Sequence, residues 1–366
     1  MSVTINVGVV LVNWNGWRDC VECLDTLLAV EHPAFHVYLV DNDSKDRSVE
    51  HILDWCARPR RMPEWQMFEG LRRITAGVEP AWPVGVRCVA FDGGAVPAPV
   101  ADCRVTIVRS GGNLGFAGGN NVGVAVAAAA GHSHYWLLNT DTVVPADALA
   151  MLVERAQADP RLGLVGSTLV YYAEPEKVQA LGGGLDRKSM RPYHVGGGIA
   201  VAERPADPAL VESELSYVVG ASMLVTHEFV QAVGPMADDY FLYYEEIDWA
   251  YRARGSFGLG YAPCSIVYHK GGSTSLKVQS RFSLEMLYRN RLKFVARHDA
   301  ASFGRVRGLL ALELLRLLVR GNFPHARAAA KALRESGALY RAERQRNDSS
   351  AGALRLRAKG APVSGI

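Results

Sequence analysis

The sequence lacks the features that mark several common protein classes. No apolar run reaches the roughly 18 residues that a membrane-spanning helix requires, so we expect no transmembrane segment. Basic residues are not interleaved with aromatic ones, which argues against nucleic acid as a partner. No secretion signal precedes the first apolar run and the six cysteines are scattered, which indicates reduced thiols in a cytoplasmic protein. Cys20 and Cys23 have redox spacing, but we interpret them as helix residues that pack inward.

The glycine fingerprint of dinucleotide-binding proteins is also missing. The first predicted strand, Val7–Val12, is followed by Asn13-Trp14-Asn15-Gly16 instead of G-x-G-x-x-G. That fingerprint lets the backbone approach a pyrophosphate at the start of a helix. A dinucleotide-dependent oxidoreductase is therefore disfavoured.

Charge is distributed unevenly along the 366 residues. Residues 277–359 contain 19 Lys and Arg against 6 Asp and Glu, whereas residues 1–276 contain 21 against 31. A basic segment attached to an acidic body indicates contact with phosphate groups, and we favour lipid headgroups. Within this segment, 306–320 predicts a largely apolar helix that either lies in a bilayer interface or packs on the body of the protein.

Short apolar runs alternate with helical patterns over most of the chain, which predicts an α/β fold built from parallel units. Residues 57–103 interrupt the alternation and are interpreted as an insertion with one strand near 86–91. The predicted strands of the main body are Val7–Val12, Val37–Val40, Val105–Val108, Tyr135–Leu138, Leu164–Tyr171, Tyr217–Val225 and Ser265–Tyr268.

Polar motifs follow three of these strands. Asp41-Asn42-Asp43-Ser44 offers carboxylates, Asp41 and Asp43, to ribose hydroxyls or a base N–H, or else caps the next helix. The loop 113–121, Asn-Leu-Gly-Phe-Ala-Gly-Gly-Asn-Asn, opens a helix and suits a phosphate or nucleotide. Asn139-Thr140-Asp141 offers a carboxylate to a divalent metal on a diphosphate, or forms an Asx turn.

Two further motifs contain groups for acid–base or metal chemistry. Tyr240–Arg252 places three acids, Glu245, Glu246 and Asp248, among aromatic residues. They either stabilise a helix amino terminus or supply a general base whose pKa is raised by apolar surroundings. His269 follows a strand and precedes two glycines, so it is either structural or a metal ligand.

The ordered set of motifs resembles family 2 glycosyltransferases with the GT-A fold, and more closely the bacterial rhamnosyltransferase-like branch that builds cell-surface polysaccharides. The resemblance covers roughly residues 5–300 without the insertion. It implies a Rossmann-like, mixed and mostly parallel sheet flanked by helices, with a C-terminal helical extension. The implied site comprises Asn13, Asp41 and Asp43 for the nucleoside, Asn113, Gly115, Gly118, Asn120, Asn121 and Asn139 for the nucleotide sugar, Asp141 and His269 for Mg²⁺ or Mn²⁺, and Glu246 as catalytic base.

Two positions depart from the family pattern. Asn139 stands where the fullest motif has Asp, which leaves one strong carboxylate and predicts looser metal binding. Glu246 stands where Asp is commoner, so Asp248 remains an alternative base and Glu245 a less favoured one.

The resemblance implies an inverting transfer from a dTDP- or UDP-linked sugar, with rhamnose preferred, to a glycan or lipid-linked acceptor. The expected location is the cytoplasm, at the inner face of the membrane through the C-terminal helices. The expected domains are 1–276 (catalytic), 277–345 (basic helical extension) and 346–366 (disordered tail). The alternatives are a sugar nucleotidyltransferase and an inactive scaffold of a polysaccharide assembly complex.

Overall fold

The computed structural model describes residues 5–32, 34–57, 84–91, 103–271 and 280–358. Most of the predicted insertion therefore lies outside the described residues, as does 359–366. The described residues form two compact units. The first comprises the chain up to 184 together with 193–241 and 245–278, and the second comprises 185–192, 242–244 and the chain from 279 onward.

The first unit is built on a ten-stranded sheet, counted over the described residues. Its strand order is β3-β4-β2-β1-β5-β11-β7-β12-β6, and β8 pairs with β7. The strands are β1 (Val7–Asn13), β2 (Phe35–Asp41), β3 (Val86–Ala90), β4 (Val105–Arg109), β5 (His134–Asn139), β6 (Thr142–Val143), β7 (Leu162–Tyr171), β8 (Val178–Ala180), β11 (Ser222–Thr226) and β12 (Gly258–His269). A separate pair consists of β9 (Gly182–Leu185) and β10 (Pro192–Val195).

The helices of the first unit are α1 (Trp17–Leu27), α2 (Ser48–Ala57), α3 (Gly115–Ala129), α4 (Ala148–Ala158), α5 (Pro208–Glu212), α6 (His227–Val233) and α7 (Glu245–Arg252). The α/β fold with a mixed, mostly parallel sheet and flanking helices is confirmed. The strands β1, β2, β4, β5 and β3 run parallel, and β11 joins in antiparallel between β5 and β7.

The apolar runs form strands because both faces of the sheet are covered. Every residue of β2 is buried, and six of the seven residues of β1 are buried. A parallel sheet with helices on both faces requires such continuous apolar strands. Cys20 and Cys23 lie in the same core, where burial raises the pKa of the Cys23 thiol to about 12. Their packing therefore agrees with the inward-facing interpretation.

Glycines allow helix α3 to lie close to the sheet. A Cβ added at Gly119 would lie 2.7 Å from Cγ1 of Val12, and one at Gly123 would lie 2.3 Å from Cγ1 of Val10. These separations are shorter than ordinary carbon–carbon contacts. The small residues in this helix therefore serve close packing on β1.

Several element boundaries differ from the sequence prediction. Strand β11 begins at Ser222, five residues later than predicted, while β12 begins at Gly258, seven residues earlier. The predicted strand near 86–91 exists as β3, which pairs in parallel with β4 and extends the sheet. The glycine-rich segment 182–198 contains the paired strands β9 and β10.

The second unit is helical and contains α8 (Arg281–His298), α9 (Phe303–Val319) and α10 (Phe323–Ala358). Helix α10 includes 346–358, part of the segment for which the sequence predicts disorder. Within the described part of the chain, no helix is both long and apolar enough to cross a bilayer. Helix α9 buries one side of its circumference through Phe303, Val306 and Leu310.

Candidate active site

The polar residues that follow β1 and β2 meet at the carboxyl edge of the sheet. Asn13 and Asp41 are register partners, and Asn13 Nδ2 donates to Ser44 Oγ (3.1 Å) and lies 3.4 Å from Asp41 Oδ1. Both side chains are nearly inaccessible to solvent, and among the described residues no donor reaches Asn13 Oδ1. A buried acceptor without a partner costs free energy, so this atom is suited to an N–H or O–H group of a ligand.

The two loops beyond these strands are held together in unusual backbone conformations. Asn15 and Asp43 have positive φ values of 54° and 64°. Asn15 N donates to Ser44 Oγ (3.0 Å), and Lys45 N donates to Asn15 Oδ1 (2.6 Å). Asp43 is exposed and pairs with Lys45. Positive φ in non-glycine residues is sparsely populated and often found at binding sites.

The loop before α3 is joined to the same edge by Asn42, which the sequence analysis did not single out. Its Nδ2 donates to Gly115 O (2.9 Å) and to Asn113 Oδ1 (3.3 Å), and its Oδ1 accepts from Leu114 N (3.2 Å). Asn42 thus fixes the loop that the resemblance assigns to the nucleotide sugar. In the sequence, only its position directly after Asp41 indicated that Asn42 belongs to the site.

Other residues predicted in this loop have internal partners. Asn120 Nδ2 donates to Phe116 O (2.9 Å), and the Asn121 side chain exchanges two hydrogen bonds of 2.9 Å with the backbone of Met236. Gly118 and Asn121 line an open groove of about 460 Å³ along α3. The structure therefore gives Asn120 and Asn121 roles in holding the fold.

Asp141 and His269 meet although 128 positions separate them in the chain. His269 Nε2 lies 3.3 Å from Asp141 Oδ1 and 3.3 Å from Asn139 Nδ2. The meeting follows from the sheet, since β12 pairs antiparallel with β6 and places His269 opposite Thr142. The backbone contributes one more bond, from Lys270 N to Asp141 O (3.0 Å). The turn predicted from Asn139-Thr140-Asp141 and the histidine thus share one site.

Gln179 orients the imidazole of His269 and was not found from the sequence. Its Oε1 lies 2.7 Å from His269 Nδ1, and an amide oxygen can only accept a hydrogen bond. The proton is therefore assigned to Nδ1, which leaves Nε2 as an acceptor that Asn139 Nδ2 reaches at 3.3 Å and that lies beside Asp141 Oδ1. Metal-binding histidines are commonly oriented in this way by a second side chain. Gln179 is in β8, ninety residues away, and no pattern marked it.

Lys270 belongs to a partly buried group of charges beside this site. Its ammonium pairs with Asp19 (2.6 Å) and with Glu22, and Glu22 accepts from the Tyr172 hydroxyl (2.7 Å). These carboxylates raise the pKa of Lys270, although desolvation acts in the opposite direction and is the largest contribution. The group fixes α1 against the end of β12.

The Asn139 turn is connected by direct contacts to the segment that precedes the acidic helix. Asn139 N donates to Ala221 O (3.0 Å), and a Cβ at the adjacent Gly220 would lie 3.0 Å from Phe116 Cζ. Phe116 N donates in turn to Phe241 O (2.7 Å), and Phe241 has a positive φ of 65°. Phe241 therefore lies at the carboxyl edge of the sheet, four residues before helix α7 begins at Glu245.

Asp248 and Glu246, two of the three acids of α7, have different surroundings. Asp248 is fully buried, and its two oxygens are occupied: Oδ1 accepts from the Tyr240 hydroxyl (3.2 Å) and Oδ2 pairs with Arg252 Nε (2.8 Å). The Arg252 guanidinium also donates to the carbonyls of Val233 and Pro235 at 2.6 Å. Asp248 therefore stabilises the fold around α7, and its full burial keeps it from solvent and from a ligand hydroxyl.

Glu246 is the acid with an accessible side and a perturbed carboxyl group. Desolvation raises its pKa from 4.5 to about 7, although the residue as a whole is only partly buried. Its Oε2 is buried, and among the described residues no hydrogen-bond donor reaches it. A carboxyl group with a pKa near neutrality is suited to proton transfer at that pH.

Among the described residues no cluster of three or more His, Cys, Asp or Glu side chains forms a complete metal site. The Asp141–His269 pair supplies two ligands at a separation that suits neighbouring positions around one cation. Mg²⁺ and Mn²⁺ typically take one or two carboxylates and complete their coordination with phosphate oxygens and water. The pair therefore fits a metal that arrives with a diphosphate.

The fold is that of GT-A glycosyltransferases. The chain is similar to GalNAc-T7 solved with UDP, GalNAc and Mn²⁺, with a TM-score of 0.51 and 14% identity over 81% of this chain and 48% of that chain. The chain thus spans about half the length of that protein. At this level of identity the likeness shows the fold alone, as the sequence motifs implied.

Two other solved structures are similar at lower scores. Mannosyltransferase PcManGT from Pyrobaculum calidifontis, in complex with GDP-Man and Mn²⁺, gives a TM-score of 0.47 and 15% identity over 97% of this chain and 81% of that chain. S. aureus TarS 1-349 gives a TM-score of 0.47 and 10% identity over 93% and 92% of the two chains. The sequence matches no protein-family profile and no curated protein.

Proposed function

We propose that the protein is a metal-dependent, inverting glycosyltransferase of the family 2 type. The observation that carries the proposal is the Asp141–His269 pair at the sheet edge that also holds Asn13 and Asp41. A carboxylate–imidazole pair suited to a cation, at the same sheet edge as the Asn13 and Asp41 side chains, fits a nucleoside-diphosphate sugar. The GT-A fold supports a nucleotide-sugar donor and a divalent metal, since GalNAc-T7, which shares the fold, was solved with UDP and Mn²⁺.

The donor would bind with its nucleoside against Asn13 and Asp41. The unpartnered Oδ1 of Asn13 and the Asp41 carboxylate are acceptors, which match the imide N–H of uracil or thymine and the hydroxyls of the sugar. We infer a dTDP- or UDP-linked donor and, from the sequence resemblance, rhamnose as the transferred sugar. The loop that Asn42 fixes would lie along the rest of the donor.

Asp141 and His269 would hold Mg²⁺ or Mn²⁺, with the remaining positions filled by donor oxygens and water. When bound, such a cation neutralises negative charge on a diphosphate leaving group. The protein contributes the arrangement of its ligands, because Gln179 and Asn139 both contact the imidazole and fix its orientation. One strong carboxylate in place of two predicts weak, exchangeable metal binding.

Glu246 would act as the general base. Its carboxylate takes the proton of an acceptor hydroxyl while that oxygen forms a bond to the anomeric carbon. The bond from this carbon to the diphosphate oxygen breaks on the opposite face, so the configuration inverts and the nucleoside diphosphate leaves with the bonding electrons. General base catalysis of this kind contributes about 10²–10⁴-fold to the rate.

The acceptor would be a glycan or a lipid-linked glycan in cell-surface polysaccharide synthesis, with the reaction at the cytoplasmic side of the membrane. We propose residues 1–276 as the catalytic domain and 277–345 as a basic helical extension. The excess of basic residues in the extension supports contact with an anionic surface.

A thermal-shift screen tests the donor class directly. UDP, dTDP and GDP, each with Mn²⁺, should raise the melting temperature if they bind the native state, and removal of the metal with EDTA should reduce the shift. Asp141→Asn should lose the part of the increase in melting temperature that depends on Mn²⁺. Asp147→Asn is the matched control, because Asp147 is an exposed aspartate six residues away whose side chain caps no helix N–H.

Product analysis separates this proposal from the alternatives. Incubation with a bound nucleotide sugar should release nucleoside diphosphate slowly by hydrolysis, and faster once an acceptor is found. Release of pyrophosphate from a nucleoside triphosphate and a sugar phosphate would instead show a nucleotidyltransferase. Absence of binding by every nucleotide tested would contradict the donor site and leave the scaffold as the explanation.

A further inference from the structure

Helix α9 exposes an apolar stripe on the side opposite its buried residues. Leu312, Leu315 and Val319 are spaced at i, i+3 and i+7 and are 52%, 58% and 88% exposed. Residues at this spacing lie on one face of a helix. Leu318 (47%) and Phe323 (67%), the first residue of the next helix, continue the exposed apolar surface. We name these five residues the apolar stripe.

The helix that presents the stripe is fixed in place within its unit. Its opposite face buries Val306 and Leu310 completely. Glu313 on that side pairs with Arg291 (2.9 Å), which is itself nearly inaccessible to solvent. Helix α9 therefore has two apolar faces, and only one of them is covered by the residues that the structure describes. Packing of α9 on its own unit leaves the stripe unexplained.

The charged residues of the segment that contains the stripe are mostly basic. Between residues 300 and 334 the sequence contains seven Arg and Lys and one acidic residue, Glu313. Since Glu313 is paired with Arg291, it offers no negative charge to an approaching partner. Arg316, Arg320 and Arg327 are exposed beside the stripe. An apolar surface flanked by arginines is complementary to apolar acyl chains beneath negatively charged headgroups.

We propose that the apolar stripe and the adjacent arginines bind the surface of an anionic phospholipid bilayer. The stripe enters the boundary between headgroups and acyl chains, and the guanidinium groups pair with lipid phosphates. A second copy of this chain fits less well, because a symmetric contact would bring the same arginines against each other. The proposal extends the proposed function, since it gives a lipid-linked acceptor a surface on which to meet the enzyme.

Vesicle flotation tests the proposal without any measurement of sugar transfer. The full chain should float with vesicles of phosphatidylcholine and phosphatidylglycerol, and much less with phosphatidylcholine alone. The double variant Leu315→Glu/Val319→Glu should bind at least about tenfold more weakly, because it loses the burial of two apolar side chains. Arg316→Glu/Arg320→Glu should also weaken binding, and added salt should reduce binding of the wild-type chain.

Leu210→Glu is the matched control, because Leu210 is 61% exposed and lies in the other unit, in α5. It should float like the wild-type chain. Equal flotation of the stripe variant and the wild type would overturn the proposal. A concentration-dependent dimer in sedimentation velocity that the stripe variant abolishes would overturn it as well, in favour of a second copy. Nucleotide binding in the thermal-shift screen is independent of these outcomes, so failure of one proposal is distinguishable from failure of the other.

Discussion

Replacement of Glu246 by Gln gives the sharpest test of the proposed chemistry. Desolvation raises the pKa of Glu246 to about 7, so at pH 6 about a tenth of the molecules carry the carboxylate and at pH 8 about nine-tenths do. The rate of sugar transfer by the wild-type enzyme should therefore rise about tenfold between these pH values. Glu246→Gln should lower turnover about 10²–10⁴-fold at pH 8 and remove this pH dependence.

The same variant, which loses activity, should gain stability relative to the wild type as the pH rises. The pKa of the carboxyl group is 4.5 when it is unperturbed and about 7 in the folded protein, so as pH rises the unfolded chain releases this proton first. Ionisation therefore favours unfolding between pH 4.5 and 7 and adds nothing further above 7. A pKa difference of this size equals about 3 kcal/mol. Relative to Glu246→Gln, the wild type should lose about this free energy of unfolding across that range.

The assay is a pair of measurements on each variant. Release of nucleoside diphosphate gives turnover as a function of pH, and urea denaturation gives the free energy of unfolding at pH 4.5, 7 and 8. Lost turnover together with stability that no longer falls with pH identifies Glu246 as a buried, functional carboxyl group. Unchanged turnover in Glu246→Gln would refute the assignment, and an unchanged stability profile would refute the raised pKa.

Three further predictions concern the supporting residues. Gln179→Leu should weaken binding of Mn²⁺ with UDP about 10–100-fold in calorimetry, because His269 loses its orientation, while Gln179→Glu keeps an acceptor and should retain binding. Asp248→Asn should lower the free energy of unfolding by about 1.5–3 kcal/mol in urea denaturation yet leave kcat largely unchanged; a folded but inactive variant would move the base to this residue. Gly119→Ala should destabilise the fold by about 1–3 kcal/mol in the same measurement, because its methyl group would lie 2.7 Å from a valine of the sheet. Gly112→Ala is the control, since its methyl group would meet nothing within 4 Å, and equal effects of the two would contradict the packing role.

The fold could be predicted well from the sequence because its signals are local. A strand buried on both faces must be a continuous apolar run, and Val7–Val12 and Val37–Val40 are such runs. Boundaries were less certain where glycine or polar residues occur inside a strand. Strand β12 includes Pro263, Cys264 and Ser265, and its register with β7 is shifted between Ala262 and Ile266. The glycines and the Pro-Cys-Ser sequence interrupt the apolar run, so the sequence pattern predicted only the second half of β12.

The candidate site could be predicted only in outline. The strand-end motifs gave Asp41 and Asp141, since carboxyl ends of parallel strands meet at one edge of a sheet, and the resemblance added Asn13. The resemblance placed Glu246 first and left Asp248 as an alternative, because the sequence does not show which of the two carboxyl groups has hydrogen-bond partners. The structure gives Asp248 both Tyr240 and Arg252, and it leaves an oxygen of Glu246 without one.

The alternation of apolar runs, which depends only on neighbours in the chain, predicted the α/β class, and the resemblance carried by the ordered motifs implied the GT-A architecture. The composition alone gave the excess of positive charge near the C-terminus. The tertiary structure alone decided which distant side chains touch. It brought Gln179 to His269, placed Asn42 under the loop before α3, and left one face of α9 uncovered. Such contacts arise from strand order and helix packing, and these join positions whose separation in the sequence carries no periodic signal.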